Sequence, residues 1–198
     1  PYDREDLYES MPENVGGTLL LSYDHKHFAK AILEATNKHW TAQFELIWDC
    51  CQSWYTPNRP LAKHKTIAVF KDDPAWNFDK AIIKDGKKRE PKIVHNTRGS
   101  CDYKPLDGAI HMRTCEPFPN TALTDEHGQG KPLEWIKAIL GGVNAKKVID
   151  YFGGTGTTLI ACEVIGTQCY MIEKEPEYCD VIIDRWEALT GGKAERID

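Results

Sequence analysis

Asp150-Tyr151-Phe152-Gly153-Gly154-Thr155-Gly156-Thr157-Thr158 is the stretch on which the fold of this 198-residue chain turns. Ahead of it stands a short apolar run of strand type, Lys147-Val148-Ile149. Behind it Thr157-Thr158-Leu159-Ile160-Ala161-Cys162 is compatible with a helix. Strand, glycine turn and helix in that order build a small-molecule cleft at the carboxyl end of a sheet. Gly153, Gly154 and Gly156 let backbone approach a ligand where a Cβ would collide.

Such a turn serves nucleotides, dinucleotides or S-adenosylmethionine, and its details disfavour the phosphate binders. A Walker loop needs Lys and then Ser or Thr after its last glycine, whereas Gly156 is followed by Thr157 and Thr158. The dinucleotide fingerprint starts acceptably at Gly154 and Gly156, but Leu159 stands where its last glycine belongs. What remains is a strand-end acid beside a glycine turn, which suits a cationic, phosphate-free ligand. Asp150 can face an ammonium group, and backbone N–H groups at the helix start can take a carboxylate. S-adenosylmethionine carries both groups.

A second acid belongs with the first. The strand-like run Gln168-Cys169-Tyr170-Met171-Ile172 ends in Glu173, 23 residues beyond Asp150. That is close to the roughly 20-residue spacing at which an acid on the next strand tip reaches ribose hydroxyls. The alternative is that Glu173 merely leads into the next helix, with Glu175, Pro176 and Glu177 at its first turn.

At 41% hydrophobic and 28% charged residues, the composition is that of one ordinary soluble domain spanning 1–198. No apolar run approaches the roughly 18 residues a membrane helix needs, and no leader-like segment opens the chain. Seven cysteines, none in C-x-x-C spacing and two adjacent (Cys50, Cys51), encode neither a disulfide framework nor a metal site, so no metal and a reducing cytoplasm are expected. The net charge of −5 does not advertise a nucleic-acid binder. The basic residues nevertheless cluster: Arg59, Lys63, His64 and Lys65 form one group, and Lys80, Lys84, Lys87, Lys88, Arg89, Lys92 and Arg98 another. Each cluster reads either as a solvated face or as a local grip on phosphates.

Periodicity predicts strands at 18–23, 44–48 and 66–70, and a helix over 27–36. From 71 to 126 the pattern decays into scattered prolines and glycines, so 72–126 is expected to be an inserted, functional segment. Regularity returns with a helix over 131–140, opened by Pro132 and followed by Gly141-Gly142 past its end. Two βα units complete the chain, the last helix running from Pro176 to Leu189 with Ile182, Ile183 and Trp186 as core residues. The expected fold is α/β, a doubly wound and mostly parallel sheet of Rossmann-like type with helices on both faces.

At this point the residues resemble those of the DNA amino-methyltransferases of the β arrangement, which methylate N6 of adenine or N4 of cytosine. Residues 150–158 fit that family's cofactor motif, D-x-F-x-G-x-G-T-T, throughout. His127-Gly128-Gln129-Gly130-Lys131-Pro132 is similar to the family's H-P-T-Q-K-P but alters its middle, and Met171-Ile172-Glu173 is similar to its apolar-Ile-Glu strand end. The family often has His-Glu where this chain has His64-Lys65, so no role of that Glu transfers. The resemblance implies S-adenosylmethionine as cofactor, held by His127, Lys131, Pro132, Asp150, Phe152, Gly153, Gly154, Gly156, Thr157 and Glu173. It implies double-stranded DNA as partner, with self-association as a homodimer the assembly considered and restriction–modification the setting. It also assigns 72–126 to target recognition. Arg59, Lys63, Lys87, Lys88, Arg89, Asn96 and Arg98 are the candidate phosphate or groove contacts.

The family's catalytic motif, D-P-P-Y or S-P-P-Y, is nowhere complete. The chain opens Pro1-Tyr2, followed by a loop and the 18–23 strand, the order expected just after that motif. The reading is that the numbered chain starts inside the motif, with a natural start ahead of Pro1 as the rival. By resemblance Pro1 and Tyr2 are catalytic, Tyr2 stacking on a base drawn out of the duplex. The expected activity is methyl transfer to an exocyclic amine in DNA, with adenine N6 weakly ahead of cytosine N4. A cofactor-binding but catalytically incomplete subunit or fragment is the alternative, and a nucleotide-dependent oxidoreductase is disfavoured by Leu159.

Overall fold

The computed structural model describes residues 9, 12–13, 16–23, 27–54, 62–71, 82–85, 109–111, 115–117 and 130–197. The chain divides into two compact units, one of residues 1–75 and 113–120, the other of 76–112 and 121–198. Among the described residues no helix is long and apolar enough to cross a membrane.

The first unit is built on a four-stranded sheet. Strand β1 (Thr18–Tyr23) leads into helix α1 (Phe28–Asn37), and β2 (Ala42–Trp54) and β3 (Ala62–Lys71) follow. The sheet order is β1-β3-β2-β6, with β6 (Cys115–Pro117) at one edge. Strand β3 is antiparallel to both neighbours, with Leu20 opposite Val69 on one side and Leu46 opposite Ile67 on the other. It follows that β1 and β2 run in the same direction, joined by α1, with β3 slotted between them.

This arrangement departs from a mostly parallel sheet, and the reason is local. Only residues 55–61 join β2 to β3, too short a link for the crossover that parallel neighbours require, so the two strands fold back as a hairpin. Among the described residues of this unit, parallel pairing joins β2 with β6. Burial follows position in the sheet. The central strand is buried without interruption from Thr66 to Phe70, whereas β2 alternates, burying Leu46, Trp48 and Cys50. Helix α1 closes over the sheet through Ala31 and Ala35, one turn apart, which pack with Trp40, Ala68 and Phe70. The Trp40 indole N–H donates to the Pro12 carbonyl at 2.9 Å.

The second unit holds the decisive stretch. Its strands are β4 (Ile82–Asp85) and β5 (Ala109–His111), an antiparallel pair, and β7 (Lys147–Asp150) and β8 (Gln168–Met171), a parallel pair. Helix α2 (Leu133–Gly142) precedes β7, α3 (Thr157–Ile165) crosses from β7 to β8, and α4 (Pro176–Thr190) follows β8. The βα alternation expected from periodicity is thus present here, and the overall class is mixed α/β.

Two local expectations are corrected. Gly141 and Gly142 lie inside α2 rather than past its end, and the left-handed residue that stops the helix is Asn144, at φ 52°. Asn adopts that conformation more readily than most residues, and its N–H closes on the Gly141 carbonyl at 2.9 Å. Gly142 is buried. On α4, Ile182 is buried and Trp186 half-buried, but Ile183 is 41% exposed because it points off the packed stripe.

Candidate functional site

Parallel pairing of β7 with β8 brings two carboxylates to one end of the sheet. Asp150 closes β7 opposite Met171 of β8, and Glu173 stands two residues beyond Met171. The ladder runs past the strands: Ile172 N–H donates to the Asp150 carbonyl at 2.9 Å, and Gly153 N–H to the Ile172 carbonyl at 3.0 Å. Asp150 Oδ1 accepts the Phe152 N–H at 3.0 Å, an Asx turn that starts the loop.

The glycines then earn separate explanations. At Gly153 an added Cβ would lie 2.7 Å from Met171 Cγ and Sδ, so this position needs glycine for close packing beneath the turn. Gly156 combines a φ of 80° with Ile182 Cγ1 only 3.0 Å from where a Cβ would sit. Gly154, at φ 54°, has no described atom near its missing Cβ, so its demand is conformational.

Glu173 holds this turn. Its Oε2 accepts the Gly154 N–H at 2.6 Å, while Oε1 accepts the N–H groups of Lys174 at 2.9 Å and Glu175 at 3.0 Å. One side chain therefore ties the glycine turn to the approach to α4, whose N-cap is Glu175. The two sequence readings of Glu173, as a ligand-facing acid and as a prelude to the helix, fall on the same carboxylate. Each carboxylate oxygen has two acceptor sites, so these bonds leave capacity for a ligand hydroxyl.

Helix α3 starts directly after the turn with Gly156 as its N-cap and no side-chain cap. Its first N–H groups have no preceding helical carbonyl to receive them, which leaves donors and the positive end of the helix dipole beside Asp150 and Glu173. The donor set fits a ligand carrying both a carboxylate and a cationic group. Two acids at the strand tips argue against a pyrophosphate in the same place. On α3 and β8, the buried Cys162 neighbours the half-buried Cys169, whose Sγ donates to the Tyr170 carbonyl at 3.8 Å. The neighbouring Cys169 thiol, then burial, pushes the Cys162 thiol far above its ordinary range, and the Cys162 thiol lowers Cys169; the nearby Asp150 carboxylate opposes ionisation of both.

Of the other candidate residues, half-buried Lys131 and buried Pro132 lie just ahead of α2 in the same unit as the turn. Phe152 is 55% exposed at the turn, and Thr157 opens α3. Pro1, Tyr2, Arg59, Lys87, Lys88, Arg89, Asn96, Arg98 and His127 lie outside the described residues, as does the side chain of Lys63 on β3. Most of 72–126 does too. Among the described residues no cluster of His, Cys, Asp and Glu could hold a metal ion. Met171, Ile182 and Arg185 line the inner side of the turn; sequence reasoning placed Met171 on its strand and Ile182 in the core without tying either to the turn, and overlooked Arg185. The signal for Arg185 was its i, i+3 spacing from Ile182 on an amphipathic helix.

A family model described as DNA methylase, covering N6 and N4 methyltransferases, matches residues 14–184. The chain belongs to this DNA methylase family. Its similarity to the type II methyltransferase M.SmaI of Serratia marcescens is 24% identity over 151 residues, 75% of this chain and 47% of that protein. This methylase-family chain thus spans about half the length of the curated relative it matches. Among solved structures it is similar to the M1.HpyAVI–SAM complex at a TM-score of 0.60 and 17% identity, covering 87% of this chain and 76% of that one. It is also similar to the PvuII DNA methyltransferase, a cytosine-N4-specific enzyme by name, at a TM-score of 0.61 and 13% identity, covering 86% and 64%. These likenesses place the methylase-family chain in a shared fold.

Proposed function

We propose that this chain binds S-adenosylmethionine at the turn between β7 and α3 and transfers its methyl group to an exocyclic amine of a base in double-stranded DNA. The observation that carries the reading is the pair of acids, Asp150 and Glu173, on adjacent parallel strand tips around an uncapped helix start. In this reading Asp150 faces the ligand's ammonium group, the α3 N–H groups take its carboxylate, and Glu173 receives the ribose hydroxyls. His127, Lys131, Pro132, Phe152 and Thr157 complete the cofactor set. When bound, the cofactor supplies an electrophilic methyl group on a positively charged sulfur. The doubly wound, methyltransferase-type sheet for the chain as a whole belongs to the same proposal, supported by the likeness to solved structures of this fold.

An exocyclic amine is a weak nucleophile because its lone pair is delocalised into the ring. The family resemblance gives Pro1 and Tyr2 the task of meeting the base: Tyr2 stacks on it once it has left the duplex. The amine nitrogen forms the new bond to the methyl carbon, the bond from that carbon to sulfur breaks, and an amine proton passes to solvent. Alignment of the attacking nitrogen with the departing sulfur supplies much of the rate. Residues 72–126 form the recognition segment, where Lys87, Lys88, Arg89, Asn96 and Arg98, together with Arg59 and Lys63, meet phosphates and base edges. Adenine N6 is placed ahead of cytosine N4, in a cytoplasmic restriction–modification setting, with a homodimer as the assembly. A second reading is a cofactor-binding chain that acts together with a partner in catalysis.

Incubation with methyl-tritiated S-adenosylmethionine and mixed-sequence duplex DNA, followed by nucleoside analysis, tests the proposal. Labelled N6-methyladenine is the expected product, and labelled N4-methylcytosine would reassign the base. Cofactor binding without label in DNA supports the second reading. Failure to bind the cofactor ends the first.

A further inference from the structure

The inner side of the glycine turn rests on α4. Ile182 and Arg185, one helical turn apart, share a face of that helix. The buried Ile182 fills the space that a Cβ on Gly153 or Gly156 would need. Half-buried Arg185 donates from Nη1 to the Thr155 carbonyl. The N–H of the same peptide unit, that of Gly156, donates to the Gly153 carbonyl at 2.9 Å. The Thr155–Gly156 peptide plane is therefore held at both of its polar ends, between two glycines in left-handed conformation.

We propose that Arg185 is a positioning residue for the cofactor turn, fixing the Thr155–Gly156 peptide plane so that the backbone around Gly154 and the start of α3 is set before the ligand arrives. This rests on the reading that the turn takes S-adenosylmethionine. Glycine-rich backbone is the most costly to order, so an arginine that orders it in the free protein spares the ligand that cost on binding. A guanidinium makes a charge-assisted bond to a carbonyl and holds its geometry through a planar head, which a lysine ammonium reproduces only in part.

Calorimetric titration of S-adenosylmethionine into the full chain, its Arg185→Met variant and its Arg185→Lys variant tests this. Binding is expected to weaken about tenfold or more in Arg185→Met, with Arg185→Lys recovering part of the loss. In turnover, KM for the cofactor should rise while kcat at saturating cofactor holds. Amide hydrogen exchange on the ligand-free proteins gives a readout independent of activity: the Gly156 amide should exchange faster in Arg185→Met and be slowed again in Arg185→Lys. Unchanged affinity and exchange in Arg185→Met would overturn the proposal. So would two variants that both fail to fold, or that lose affinity equally with a matching fall in thermal stability, since Arg185 would then act on the whole unit. If the unsubstituted chain binds no S-adenosylmethionine, the functional reading fails, and the exchange measurement alone decides whether Arg185 holds the turn.

Discussion

The Glu173 carboxylate accepts the Gly154 N–H at 2.6 Å, so the acid at the end of β8 holds the loop that follows β7. An acid expected to meet a ligand also shapes the backbone on which that ligand would rest. Loss of its charge and loss of its shape should consequently have different effects. Gln keeps one acceptor oxygen, whereas Ala keeps none. Glu173→Gln is expected to weaken S-adenosylmethionine binding by about tenfold, and Glu173→Ala by more, since hydrogen bonds to charged groups contribute about 1.5–3 kcal/mol each. Equilibrium binding checks the order; equal affinities for both variants and the parent would remove Glu173 from the site.

Asp150 allows a cleaner separation. Its Oδ1 accepts the Phe152 N–H at 3.0 Å, a bond that the amide oxygen of Asn can replace. Asp150→Asn should retain the turn and lose the attraction for an ammonium group. Asp150→Ala should lose both. The expected signature is a marked affinity loss in Asp150→Asn with little change in thermal unfolding, and an additional drop in Tm for Asp150→Ala. A Tm loss shared by both variants would make the charge a folding determinant instead.

The glycines should respond according to what surrounds them. Gly153→Ala places a methyl 2.7 Å from Met171 and overpacks the underside of the turn, at a cost of about 1–3 kcal/mol. Gly154→Ala meets no described atom, and its cost comes from the left-handed backbone, about 1–2 kcal/mol. A methyl on Gly154 nonetheless projects from the turn, so it should reduce cofactor affinity more than its effect on stability suggests. Urea unfolding paired with binding measurements distinguishes the two; a Gly154→Ala chain with parental affinity would show that the ligand sits elsewhere.

The thiol pair predicts a pH dependence with a definite sign. Cys162 is held protonated by the neighbouring Cys169 thiol and by burial, far above the ordinary value of 9.0. Above pH 9 the unfolded chain therefore loses a proton that the folded chain keeps, and stability falls with rising pH, by up to about 1.4 kcal/mol per unit for one such group. Cys169, lowered by its Cys162 neighbour, acts in the opposite sense below pH 9. Between pH 9 and about 10, before most lysines and tyrosines titrate, the decline should be present in the parent and absent in Cys162→Ala. Iodoacetamide should label Cys169 ahead of Cys162; the reverse order would contradict the burial of Cys162.

For nucleic acid, Arg98→Ala should weaken duplex binding across sequences and flatten the dependence of log K on log salt by about one unit of slope. Cofactor affinity should be untouched. A loss of cofactor affinity without change in DNA binding would move Arg98 out of the recognition segment.

Much of the chain was legible before any coordinates because local signals there agree with one another. Residues 147–190 carry strand, glycine turn, helix and strand within short separations, and each element starts where it was expected, with α3 running three residues beyond Cys162 to Ile165. Misreadings arose where a choice depended on distant partners. The direction of β3 was set by the short 55–61 link and by which neighbours it could join, not by its own apolar run. Helix α2 runs through Gly141 and Gly142, which are buried or half-buried, and the left-handed turn falls at Asn144 rather than at a glycine.

By itself the amino-acid order determined the two strand-tip acids, the glycine positions and the βα alternation, because these depend on the local backbone and on hydrophobic periodicity. Tertiary structure alone decided that Glu173 ties Gly154, that Met171 and Ile182 press beneath Gly153 and Gly156, and that Arg185 grips Thr155. Those relations join residues 19 to 30 positions apart or across the sheet and the last helix, and no local propensity encodes which side chain will lie beneath a turn.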